Sequence, residues 1–90
     1  MSHLQKQKPK LLARIRRIKG QIEAAERALE GEAPCAEVLQ LLAATRGAFN
    51  GLTGELIEEH LREHVLHAES EADRRQGADE LAAVIRTYMK

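Results

Sequence analysis

Residues 35–67 read CAEVLQLLAATRGAFNGLTGELIEEHLREHVLH. Val38, Leu42, Thr45, Phe49, Leu52, Leu56 and the apolar positions of residues 61–65 recur at three- and four-residue spacing, the period of an amphipathic helix. Pro34 suits the first turn of such a helix, and neither proline nor a turn dipeptide interrupts the pattern before His67. Gly47, Gly51 and Gly54 are unusual inside it, since each costs up to about 1 kcal/mol against alanine. One reading breaks the segment there into a helix-turn-helix. The reading preferred is a continuous helix, because Ala44, Gly47, Ala48 and Gly51 share one side, where small residues let a second helix approach closely. A helix of this length sets the fold class as all-α.

The rest of the chain fits around it. Leu11, Ile15, Ile18, Ile22, Ala25 and Leu29 alternate at spacings of four and three, predicting a first helix from about Lys6 to Leu29. Pro9 is tolerable in its first turn, and Gly31 is a good stop before a connection over residues 31–33. Residues 70–77 are polar and read as a loop into a short third helix striped with Leu81, Val84, Ile85 and Tyr88. The expectation is one domain over residues 1–90, with an N-terminal arm over about residues 1–5. Phe49 and Tyr88 are the only aromatic residues, so the core is aliphatic and marginal for a chain of 90 residues. That favours a helical protein that oligomerises. No apolar run is long enough to span a bilayer, no signal-peptide pattern opens the chain, and the lone Cys35 fits a reducing cytosol. The expected location is therefore cytoplasmic.

Chemistry concentrates at Cys35, His60 and His64. Cysteine and histidine are the side chains best suited to borderline and soft metals. His60 and His64 stand at i and i+4, so a helix brings both imidazoles to one face. Cys35 lies 25 residues upstream of His60, and a continuous helix would separate them by roughly 37 Å. One ion cannot bridge that gap within one molecule. The midpoint between Cys35 and the histidine pair falls between Ala48 and Phe49, beside the small residues. Two copies of the long helix packed antiparallel about a two-fold axis there would bring Cys35 of one copy to His60 and His64 of the other, twice per dimer. A sulfur and two nitrogens suit Zn(II), Co(II), Ni(II) or copper. His3 is either a fourth donor carried on the arm or, as is commoner, an exposed tail residue, and His67 extends the histidine face by one step, either to tune the site or as a solvated residue. No HExxH motif and no nucleophile–base–orienter set is present, so an enzyme is not expected.

Charge is zero overall but unevenly placed. Lys6, Lys8, Lys10, Arg14, Arg16, Arg17 and Lys19 precede Gly20 with no acidic residue among them, while all 14 acidic residues follow it. Such asymmetry points to a polyanion-binding end on an acidic body, the alternative being a solvated basic helix face. Lys10, Arg14 and Arg17 form one ridge at i, i+4 and i+7, which Arg16 and Lys19 widen. With so few aromatics, stacking on single strands is disfavoured, and duplex DNA held through backbone and shape is the better reading.

Four motifs carry a family resemblance: RIKGQ (Arg17 to Gln21), C-x-x-x-L-Q (Cys35 to Gln40), R-G-A-x-N-G-L (Arg46 to Leu52) and H-L-x-E-H (His60 to His64). With nearly the whole chain around them, they resemble the CsoR/RcnR family of bacterial metal- and formaldehyde-responsive repressors. The resemblance implies a three-helix protomer with a long second helix, assembled as a dimer of dimers. It also implies DNA binding without a helix-turn-helix and a sensor site between subunits at positions matched by Cys35, His60 and His64. It adds Arg46 to the DNA-contacting candidates. Copper(I) sensors of the family resemble Cys-His-Cys, whereas His64 stands here in place of the second cysteine. Nickel/cobalt sensors resemble the set His3, Cys35, His60 and His64. Formaldehyde sensors pair a cysteine with an N-terminal proline, and position 2 here is Ser2. Pro34 replaces the tyrosine of copper sensors, which leaves Glu80, at their acidic coupling position, without its expected partner.

The expectation is thus a repressor that binds operator DNA when metal-free and releases it on binding Ni(II) or Co(II), with Zn(II) or copper as other possible effectors. A formaldehyde-responsive repressor using Cys35 and a metal-storing helical bundle are the alternatives.

Overall fold

A computed structural model describes residues 3–90, with only the backbone given for His3. The described residues are all-helical: α1 (His3–Lys6), α2 (Lys8–Glu30), α3 (Cys35–Leu61), a π-helical segment (Arg62–Leu66) and α4 (Glu71–Tyr88). The two long helices expected from the apolar periodicity are present as α2 and α3, and the third, expected to be short, extends over 18 residues as α4. The glycine-bearing α3 runs unbroken from Cys35 to Leu61, so the helix-turn-helix alternative does not hold. By contact the chain divides into two compact units, residues 3–53 and 54–90.

In the first unit α2 and the N-terminal part of α3 form a hairpin. The chain does not enter α2 directly from Lys6. Gln7 separates α1 from α2 with a non-helical φ of −103°, and its carbonyl accepts the Leu11 amide at 2.9 Å. A short helix therefore occupies part of the segment read from sequence as an arm. The connection to α3 is a Schellman turn. The Ala33 amide donates to the Ala28 carbonyl at 2.9 Å, and the Glu32 amide to Leu29 at 3.3 Å. The left-handed residue of this turn is not Gly31, whose φ is −87°, but Glu32 at φ 59°. Pro34 then opens α3 by offering its carbonyl to the Glu37 amide at 2.9 Å.

The apolar stripe of α2 splits into two. Leu11, Ile18 and Ala25, seven residues apart, are buried, and so are Thr45 and Leu52 of α3, also seven apart. The Arg14 guanidinium lies 3.5 Å from where a Cβ on Gly51 would stand, which sets an antiparallel register consistent with those buried rows. Thr45 is satisfied internally, its hydroxyl donating to the Leu41 carbonyl at 2.8 Å. Ile15, Ile22 and Leu29 remain 49–70% exposed, as do Leu39, Leu42 and Phe49 of α3 at 48–60%. No large side chain is fully buried among the described residues. One chain thus leaves a broad apolar face uncovered.

In the second unit the α-helical ladder ends at Leu61 and the chain continues for one wider turn. The His67 amide reaches back five residues to the Arg62 carbonyl at 3.0 Å. The expectation of a helix to about His67 is met in extent but not in kind. The Val65 carbonyl, orphaned at the helix end, accepts from Arg74 Nε at 3.0 Å. The polar stretch read as a loop over residues 70–77 is instead the first part of α4, which begins at Glu71. Ser70 is its N-cap, in extended conformation, with Oγ accepting the Asp73 amide at 3.0 Å. Glu71 and Asp73 add negative charge at the positive end of the helix. The signal was in the sequence as Ser-x-x-Asp, but the lack of apolar residues there concealed it.

Candidate functional site

Cys35 is the first residue of α3 and is exposed. His60 occupies the last turn of α3 and His64 the π-helical segment. Their rings stand side by side, centroids 4.7 Å apart and planes tilted by 49°. The i, i+4 spacing on an α-turn predicts that adjacency; the turn that carries His64 is a π-turn. The 24 residues between Cys35 and His60 all belong to α3. Among the described residues, no three His, Cys, Asp or Glu side chains of a single chain converge as a metal site.

The surroundings of His60 are well defined. Its Nε2 lies 3.1 Å from the Gly77 carbonyl oxygen. A carbonyl only accepts, so in this hydrogen bond Nε2–H of His60 is the donor. Glu80, singled out from the resemblance, places Oε1 3.7 Å from the same nitrogen, beyond hydrogen-bond distance. Gly77 is the buried residue of α4, and a Cβ there would overlap the His64 carbonyl oxygen and crowd its Cβ. Neither role of Gly77 was visible in the sequence, where it closed a polar run. His64 and His67 face a groove of about 470 Å³, with Glu63, Glu69, Asp73 and Glu80 also on its walls. His67 itself is exposed and caps the π-helical segment. His3 lies in α1, but its side chain is outside the described residues.

The basic candidates lie on α2, with Arg46 on α3. Lys10, Arg16, Arg17, Lys19 and Arg46 are exposed. Arg14 differs from the expected continuous ridge: it is half-buried beside Gly51. No helix is long and apolar enough to cross a membrane.

The sequence model of a family described as metal-sensitive transcriptional repressor matches residues 7–87. An uncharacterized protein from the bioA 5′ region of Serratia marcescens is 52% identical over the full length of both chains. The transcriptional repressor RcnR of Salmonella paratyphi B is 44% identical, again over both full lengths. Among solved structures, a variant of the formaldehyde-responsive regulator FrmR from Salmonella enterica serovar Typhimurium superposes with a TM-score of 0.85 at 44% identity, covering 96% of this chain and 98% of that one. The copper-sensing repressor CsoR with Cu(I) from Geobacillus thermodenitrificans gives a TM-score of 0.90 over 100% of this chain and 94% of its own, and at 24% identity it bears on the fold alone. An all-helical chain with this fold, matched over its length by the family model, belongs to the CsoR/RcnR family of metal-sensitive transcriptional repressors and is not an enzyme.

Proposed function

We propose that the protein binds duplex operator DNA in its metal-free form and releases it on binding Ni(II) or Co(II). The observation that carries this is the adjacent His60 and His64 rings at one end of an unbroken helix that Cys35 opens at the other. A second copy packed antiparallel supplies the missing thiolate, so the site forms only in the oligomer. The exposed Ile15, Ile22, Leu29, Leu39, Leu42 and Phe49 supply an apolar face for that assembly, a dimer of dimers. The donor set is one sulfur and two imidazoles, with His3 as a further nitrogen. It is harder than a two-thiolate set and less suited to Cu(I). The resemblance of the set His3, Cys35, His60 and His64 to the ligands of the family's nickel/cobalt sensors supports nickel or cobalt as effector. DNA is held by Lys10, Arg14, Arg16, Arg17, Lys19 and Arg46, repeated in each subunit. When bound, the ion favours a conformation whose basic surfaces no longer match the duplex.

The likeness to the formaldehyde-responsive FrmR variant, at the same identity as RcnR, favours a second reading in which the Cys35 thiolate is the sensing nucleophile. One titration separates the two. DNA from upstream of the protein's own gene is followed by fluorescence anisotropy while Ni(II), Co(II), Zn(II), Cu(I) or formaldehyde is added. Release by Ni(II) or Co(II), abolished in both His64→Ala and Cys35→Ala, supports the metal reading. Release by formaldehyde that survives His64→Ala and fails in Cys35→Ala supports the other. Retention of DNA with every effector rejects both.

A further inference from the structure

Gly77 touches both histidines of the pair, each through its backbone. Its carbonyl takes the Nε2–H of His60 at 3.1 Å, and its Cα packs so closely on the His64 backbone that any Cβ would overlap the His64 carbonyl. We propose that Gly77 is a positioning residue of the metal site: it holds His60 as the Nε2–H tautomer, so that Nδ1 is the ligating atom, and its lack of a side chain seats α4 against His64. The proposal rests on the reading of His60 and His64 as ligands.

A neutral imidazole has one N–H and one lone pair, so whichever group engages one nitrogen decides which nitrogen is left for a metal. Two groups face Nε2 of His60, and the distances separate them. The Gly77 oxygen is within hydrogen-bond range, while the Glu80 carboxylate at 3.7 Å is not. A backbone acceptor also differs in kind from a carboxylate. It moves only with its helix, so the orientation of His60 is tied to the docking of α4 as a whole.

The same reasoning explains a glycine in the interior of α4. Its φ is not positive, so no turn requires it, and glycine is a poorer helix former than alanine in a helix interior. The close approach to His64 is what excludes a side chain. An alanine there must push α4 away from His64, and the carbonyl that holds His60 moves with it.

The test uses the full oligomeric protein. Long-range ¹H–¹⁵N spectra of the metal-free wild type, at a pH where the imidazoles are neutral, are expected to show His60 as the Nε2–H tautomer; the Nδ1–H tautomer overturns the proposal. Gly77→Ala is expected to bind Ni(II) roughly 10- to 100-fold more weakly in competition with a chromophoric chelator. The same variant should retain metal-free operator binding, whereas Glu80→Gln leaves Ni(II) affinity unchanged. Wild-type affinity in Gly77→Ala, or a large loss in Glu80→Gln with an altered His60 tautomer, overturns it. If Gly77→Ala does not assemble, the wild-type tautomer remains decisive. A wild type that takes up neither Ni(II) nor Co(II) overturns the ligand reading itself, a failure distinct from a variant that matches a metal-binding wild type.

Discussion

The Ala33 amide donates to the Ala28 carbonyl at 2.9 Å, closing the turn between α2 and α3 around Glu32 at φ 59°. Only glycine adopts that region without steric cost, yet the glycine of this turn is one residue earlier, at φ −87°. Glu32→Gly is therefore expected to stabilise the protein by about 1 kcal/mol, within the range for relieving a left-handed non-glycine residue. Urea unfolding at fixed protein concentration measures it. A destabilised variant would mean that the Glu32 side chain makes contacts in the oligomer that outweigh the strain.

Helix α4 starts on one side-chain hydrogen bond, from the Asp73 amide to Ser70 Oγ. Ser70→Ala should cost about 1 kcal/mol and Ser70→Asp much less, since aspartate caps equally well. Amide exchange over residues 71–74 reports the effect locally. Equal exchange in all three proteins would show that packing, not the cap, holds the first turn.

The exposed apolar row of α2 offers a test of assembly. Ile22 is 52% exposed in one chain, where a polar substitution should change stability by no more than about 0.5 kcal/mol. If that face is covered by a second copy, Ile22→Asp instead buries an unpaired charge and dissociates the oligomer. Sedimentation equilibrium distinguishes the cases, and an unchanged mass for the variant would rule this face out of the interface.

Arg16 and Arg17 are exposed on the acid-free part of α2. Each phosphate contact removed lowers the slope of log K against log salt by about 0.9, and the substitution repeats in every DNA-contacting subunit. Arg17→Ala should thus flatten the salt dependence of operator binding while leaving metal affinity alone. Anisotropy titrations at several salt concentrations measure the slope; an unchanged slope removes Arg17 from the DNA surface.

The sequence by itself determined α2, α3 and the apolar part of α4, because their apolar residues recur with the helical period and burial follows that period; the polar first part of α4 carried no such signal. It also determined the adjacency of His60 and His64, which follows from spacing along one helix. The family followed from motifs spread over the same helices. Tertiary structure decided what depends on neighbours distant in sequence. Which half of the α2 stripe is buried was settled by the register with α3, which placed Leu11, Ile18 and Ala25 inward and Ile15, Ile22 and Leu29 outward. The π-turn that carries His64 has no propensity signature in Arg62–Leu66. The Gly77 carbonyl that meets His60 Nε2 lies 17 residues further along the chain. Periodicity reports which face of a helix is apolar, but only packing reports which backbone atom meets it.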